Sequence, residues 1–208
     1  MAARSTREVQ LSSGMDTKAP VWFVAIGASG SAGLEGVKRL LASLSPKLDA
    51  VILVVLHRPW DKPTRLRDVL ARASTHPVRI ADEDERFIPG TVYIGEPDQH
   101  LTLALRSFGK LVDDPERRYS NRTIDLLFAS LAENAGARAL GVVLAGSLDD
   151  GSRGLAAIHA EGGLTMVLTP DTSTLPGMPE SAIAYDGPID VIGSPEDIAQ
   201  AIEAAVAG

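Results

Sequence analysis

A chain of 208 residues, 45% of them hydrophobic, can bury one good core, so one folded domain is expected; with aromatics at only 4%, that core must be aliphatic. The formal net charge of −7 argues against a phosphate-backbone ligand, and no nucleic-acid partner is expected. The absence of cysteine excludes disulfides, a thiolate nucleophile and a thiolate metal site.

Residues 1–19 read as a disordered tail. They contain Arg, Ser and Thr but no apolar stretch of the kind a secretory signal needs, and Glu8 and Asp16 speak against a transit peptide. No run is long and apolar enough to span a bilayer, so a cytoplasmic protein without membrane insertion is expected. The folded part then spans residues 20–208.

The stretch from Val21 to Gly36 opens it. An apolar strand (Val21 to Ile26) stops at Gly27-Ala28-Ser29-Gly30-Ser31-Ala32-Gly33, and a helix follows from about Leu34 to Leu44. Three readings fit the glycine-rich turn. The first is a plain connection with serine as helix N-cap. The second, a dinucleotide site, lacks a clean G-x-G-x-x-G and an acid after the second strand. The third is a nucleophile turn of the G-x-S-x-G kind, with its second glycine displaced by Ser31.

Asp49 to Leu56 is a continuous aliphatic strand of the type buried on both faces of a parallel sheet, and it ends at His57-Arg58-Pro59. A helix is predicted over Thr64 to Ala73. Phe87 to Ile94 and Leu101 to Leu105 read as short strands in antiparallel hairpins attached to the main sheet, and Asp113 to Ser120 as a surface loop. Regular alternation resumes with a helix over Thr123 to Glu133 and a buried strand over Ala139 to Ala145. That strand runs into Gly146-Ser147-Leu148-Asp149-Asp150-Gly151, followed by a helix through Leu155, Ile158 and His159 and a strand over Leu164 to Leu168. A Pro/Gly loop over Thr174 to Met178 precedes a short helix, Pro179 to Ala184. Ser194-Pro195-Glu196-Asp197 forms a capping box that starts a final helix to about Val206.

This alternation predicts an α/β fold, a doubly wound and mostly parallel sheet with helices on both faces and an attached antiparallel hairpin. Ligands in such sheets bind beyond the carboxyl ends of the strands. At those ends stand Ser29, His57 and Asp150, which match the needs of nucleophilic catalysis: a hydroxyl, an imidazole to take its proton, and a carboxylate to orient the imidazole. Their order along the chain differs from the Ser, Asp, His order of the α/β-hydrolases. His57, His76, His100 and His159 show no metal-binding spacing, so no metal site is expected; His100 and His159 read as structural or surface residues.

Five segments in order carry a resemblance: IGAS at 26–29, LHRP at 56–59, PGTVYIGEPDQHL at 89–101, AGSLDDGSRG at 145–154 and PGMPESA at 176–182. Together they resemble the catalytic domain of the CheB-type chemotaxis receptor methylesterases. The resemblance implies hydrolysis of glutamyl methyl esters on methyl-accepting chemotaxis receptors, and in many members deamidation of receptor glutamines, without metal or cofactor. It assigns Ser29 as nucleophile, His57 as general base and Asp150 as orienting carboxylate, and places Gly177-Met178-Pro179 near the active-site mouth. Three departures from the family pattern stand out. The glycine spacing after Ser29 leaves Ser31 open as the nucleophile, Ala145-Gly146-Ser147 replaces a Thr-Gly-Met turn, and Glu180 stands where arginine is common. No receiver domain is expected within the 208 residues, so either activity is constitutive or a separate regulatory protein, as partner, supplies control. A non-catalytic regulatory domain that retains the fold, or an esterase for another substrate, are the alternatives.

Overall fold

Strand β1 (Trp22–Ser29) can occupy the middle of a sheet because it is apolar or small at every position but its last, and Phe23 to Ala28 are buried. The computed structural model describes residues 21–58, 65–97, 99–114, 116, 119, 122–171, 175–185 and 187–208, so the tail expected over 1–19 lies outside the described residues. After β1 come α1 (Gly30–Ser43), β2 (Ala50–His57), α2 (Leu66–Ala73), β3 (Val78–Ile80), β4 (Thr91–Ile94), β5 (Gln99–Ala104) and β6 (Phe108–Asp113). Then follow α3 (Thr123–Ala135), β7 (Ala139–Val143), α4 (Ser152–Ala160), β8 (Leu164–Leu168), α5 (Met178–Ala184), β9 (Val191–Gly193) and α6 (Pro195–Ala207).

Seven strands form one sheet in the order β3-β4-β2-β1-β7-β8-β9, with every neighbouring pair parallel. The chain builds outward from one edge of β1, then returns to its other edge with β7. Strand order therefore reverses at β1, and the crevice of such a sheet opens at the carboxyl ends on either side of that reversal.

Alternation along each strand sends side chains to two separate cores. Val24, Ile26, Ile52 and Val54 pack with Val37, Leu40 and Leu41 of α1, Leu70 of α2, and Ile198 and Ile202 of α6. Phe23, Ala25, Val51 and Leu53 pack on the opposite face with Leu127 and Phe128 of α3, Leu155 of α4, Met178 of α5, and Leu101 and Leu103 of β5. Glycines on this second face bring α3 unusually close. A Cβ at Gly27 would run into Ile124, one at Gly141 would lie within 2.7–2.8 Å of Leu155 and Ile158, and one at Gly154 would collide with Phe128.

Most expected elements are present, and α6 begins as predicted: the Ser194 hydroxyl accepts from Asp197 N–H at 3.2 Å while the Asp197 carboxylate accepts from Ser194 N–H at 2.9 Å. Two expectations change. The glycine-rich segment after Ile26 is not a loop: β2 pairs with β1 as far as Ser29 and β7 as far as Gly27, and α1 starts at Gly30. Nor is Phe87 to Ile94 half of an antiparallel hairpin. Thr91–Ile94 enters the main sheet parallel to β2, and the antiparallel hairpin is the separate pair β5–β6. The short strands β3, β6 and β9 lie where no strand was expected, and their pairing depends on sheet neighbours rather than on a strong local pattern.

Phe128 is fully buried between α3, α4 and β7, so its truncation leaves a cavity in the face that supports the site. Phe128→Ala is expected to lower unfolding free energy by about 3–5 kcal/mol, measured by urea denaturation.

Candidate active site

The same alternation that builds the second core brings the site together. Phe23, Ala25 and Gly27 of β1 face α3, as do Val51, Leu53 and Val55 of β2, so Ser29 and His57 continue the same face at the strand ends. They are also direct register partners, Ser29 beside His57. Asp150 reaches this face from the turn after β7: His57 Nε2–H donates to Asp150 Oδ2 at 2.7 Å. That bond fixes the ring's orientation and leaves Nδ1 as the nitrogen able to serve a nucleophile.

Ser29 is the residue before α1, with extended backbone (φ −145°, ψ 148°), and its hydroxyl does not cap the helix. Among the described residues the hydroxyl forms no hydrogen bond, to His57 or to any other group. The N-cap reading of this serine is therefore not what the structure adopts. Direct passage from strand to helix depends on Gly30, whose φ of +70° is a left-handed conformation that a side chain would strain. The first turn of α1 carries no acid, so the positive end of its dipole faces the hydroxyl uncompensated. Ser31 lies one residue further into α1 and is exposed.

Asp150 is 1% exposed and well supplied with donors. Besides the imidazole, its Oδ2 accepts from Ile124 N–H at 2.9 Å and its Oδ1 from Asp125 N–H at 2.8 Å. These are orphan amides of the first turn of α3, whose own N-cap position, Arg122, supplies no side-chain bond. The carboxylate is thus both the partner of His57 and the cap of a helix far away in sequence.

The turn between β7 and α4 is braced against Ser29 and α5. Ser29 N–H donates to Ala145 O at 2.9 Å, Met178 N–H to Gly146 O at 2.8 Å, and Ser181 Oγ to Leu148 O at 3.1 Å. A Cβ on Gly146 would collide with the Met178 sulfur and sit 2.8 Å from Ser29 Cβ, so only glycine allows this approach. Leu148 holds a left-handed φ of +73° and is exposed, as is Leu175 on the segment leading to Gly177. Gly177-Met178-Pro179 thus adjoins the site, as expected. Glu180 is engaged locally: its carboxylate accepts from Gly177 N–H at 2.8 Å and closes the cap of α5.

Asp125 was not singled out from sequence, although an acid in the first turn of a predicted helix was a usable signal. Its Oδ1 accepts from Gly151 N–H at 3.0 Å and Gly154 N–H at 2.8 Å, and Arg153 Nη1 lies 3.4 Å from Oδ2. Burial pushes its carboxyl above the ordinary aspartate range and the neighbouring Asp150 adds to this; the Gly154 and Gly151 amides and Arg153 pull the other way. His100 serves structure instead: Nε2 lies 3.1 Å from Asp114, and its ring meets Tyr119 edge-on at 5.9 Å. Among the described residues no cluster of three or more His, Cys, Asp or Glu is arranged to hold a metal, and no helix is long and apolar enough to cross a membrane.

A family model described as CheB methylesterase matches residues 24–202. The chain is 34% identical over 173 residues to a protein-glutamate methylesterase/protein-glutamine glutaminase of Yersinia pestis bv. Antiqua, covering 82% of this chain and 49% of that one. A protein of the same name from Pectobacterium atrosepticum is 32% identical over the same coverage. The chain spans about half the length of these curated relatives. Among solved structures, the catalytic domain of Thermotoga maritima CheB methylesterase superposes with a TM-score of 0.79 at 26% identity, covering 89% of this chain and 99% of that domain.

Because the folded state raises the Asp125 pKa, it binds this proton more tightly than the unfolded chain does, so this group costs stability as pH rises from about 4 through the raised value. Asp125→Asn removes that slope. The melting temperature of the variant should therefore gain on wild type across this interval and then run parallel to it, in thermal melts at a series of pH values.

Proposed function

This chain belongs to the CheB methylesterase family, and on that premise we propose that it hydrolyses glutamate γ-methyl esters on chemotaxis receptors, with Ser29 as nucleophile, His57 as general base and Asp150 as orienting carboxylate. The observation that supports this reading is the 2.7 Å His57–Asp150 bond, at strand ends where Ser29 and His57 are register partners. Residues 20–208 act as the catalytic unit, in the cytoplasm.

Ser29 Oγ adds to the ester carbonyl carbon while His57 Nδ1 takes the hydroxyl proton, and the buried Asp150 carboxylate stabilises the resulting imidazolium. The oxyanion is met by backbone N–H groups at the start of α1 and in the turn at Gly146-Ser147, which abuts Ser29. Because the donors are main-chain groups, serine in place of methionine at position 147 is compatible with that role. Collapse of the intermediate breaks the C–OCH3 bond, and the imidazolium returns its proton to give methanol. Water then attacks the acyl-enzyme with His57 again as base, releasing glutamate and Ser29. A glutamine side chain would follow the same course with ammonia as leaving group, in keeping with the second half of the relatives' name.

A side chain of a helical receptor is a substrate presented by a large surface. The exposed Leu148 and Leu175 on the segments bordering Ser29 provide apolar contact for one. Ser31, exposed within α1 rather than paired with His57, is the weaker candidate for nucleophile.

Purified protein incubated with methylated receptor should release methanol. Ser29→Ala and His57→Ala should each lower the rate by roughly three orders of magnitude or more, as members of a triad that act as a unit, while Ser31→Ala retains activity. Wild-type methanol release from the Ser29→Ala protein would overturn the assignment, and inert wild-type protein would favour a non-catalytic member of the family.

A further inference from the structure

We propose that Asp125 is a positioning residue for the triad, acting through a reciprocal pair of helix caps that holds Asp150 against His57. This inference rests on the esterase reading of the site given above.

Asp150, in the turn before α4, caps α3 through Ile124 N–H and Asp125 N–H. Asp125, in the first turn of α3, returns the same service, accepting from Gly151 N–H and Gly154 N–H at the start of α4. Neither helix has a side-chain cap of its own: the cap positions are Arg122 and Gly151, and neither supplies a side-chain bond. Each helix therefore takes its cap from the other, and the two carboxylates are locked in a closed ring of four backbone-to-carboxylate bonds. Asp125 touches Asp150's own backbone neighbour, so its grip fixes where the Asp150 side chain begins.

A carboxylate that only had to cap α3 would tolerate small shifts, since a helix offers several orphan amides. An orienting carboxylate does not, because misplacement by about 1 Å can cost on the order of 100-fold in rate. Gly151 also holds a φ of +97°, and a Cβ there would come within 2.9–3.0 Å of Val143 and Ile124. Within the turn, Ser152 N–H donates to Asp149 O at 3.2 Å, and the Gly151 N–H itself is held from outside. Asp125 Oδ1 is the group that does so.

Two acidic side chains this close repel each other, and the arrangement contains its own counterweight. Arg153 lies 3.4 Å from Asp125 and 3.4 Å from Asp149, while His57 faces Asp150 from the sheet side. The contribution proposed for Asp125 is an acceptor oxygen at a fixed place, not a negative charge. Asparagine can supply that oxygen; alanine cannot, and glutamate puts it one methylene out of position.

The test uses a fluorophosphonate probe, whose reaction with Ser29 reports on the triad without requiring a receptor, together with the low-field proton NMR signal of the His57 Nε2–H bonded to Asp150. Asp125→Ala is expected to label at least tenfold more slowly than wild type and to lose or shift the low-field signal, below its melting temperature. Asp125→Asn should label at least five times faster than Asp125→Ala and keep the signal. If Asp125→Ala does not fold, Asp125→Glu takes its place with the same tenfold loss expected. Wild-type labelling and an unchanged signal in Asp125→Ala or Asp125→Glu would overturn the inference alone, as would an Asn variant no better than Ala. A wild-type protein that the probe does not label at Ser29 would overturn the esterase reading together with it.

Discussion

Burying a carboxylate is the constraint around which this end of the molecule is arranged. Taking an ion out of water costs several kcal/mol even after the protein relaxes, and it is tolerated only where donors converge on it. Asp150 is almost wholly buried and receives one imidazole N–H and two helix amides. The amides lie at the positive end of α3, so the helix contributes both hydrogen bonds and favourable dipole to the same anion. In return, Asp150 supplies the cap that the local sequence of α3 lacks. One side chain thereby links the stability of a helix to the orientation of the His57 imidazole.

For that link to exist, α3 must lie close enough to the sheet for its first turn to reach the ends of β1 and β2. The glycines at 27, 141 and 154 make this possible, since a methyl group at any of them would collide with a residue of α3 or with the α4 side chains beside it. A second group of close contacts works on the other side of Ser29. Gly146 presses against it and the GMP segment presses against Gly146, with hydrogen bonds from Met178 and Ser181 holding the turn. The site is thus held on two sides by packing, with the imidazole oriented by Asp150 and the Ser29 hydroxyl free of hydrogen-bond partners among the described residues.

Much of this was legible in the sequence. The aliphatic runs at 21–26, 49–56 and 139–145, each ending in a polar residue or turn, mark parallel strands, and their ends mark the crevice. The capping box at Ser194 needed only local chemistry and is realised bond for bond. Where sequence reading fell short, the deciding forces were tertiary. Gly27-Ala28-Ser29 looks like a loop, yet it is strand because β2 continues beside it to Ser29 and β7 as far as Gly27. The pairing of Thr91–Ile94 depends on which open edge it meets, and that edge belongs to β2. Asp125 is an ordinary first-turn acid by sequence; only the approach of two helix N-termini gives it a second role.

The account stands or falls on which atom becomes the nucleophile and what surrounds it once acylated. The most direct measurement is a crystal structure of the protein after reaction with a fluorophosphonate. It should show phosphorus bonded to Ser29 Oγ, the phosphoryl oxygen turned toward the backbone amides at Gly30 and Ser147, and His57 still held by Asp150 with Nδ1 facing Ser29 Oγ. An adduct on Ser31, or an adduct on Ser29 with His57 detached from Asp150 and turned away, would contradict it.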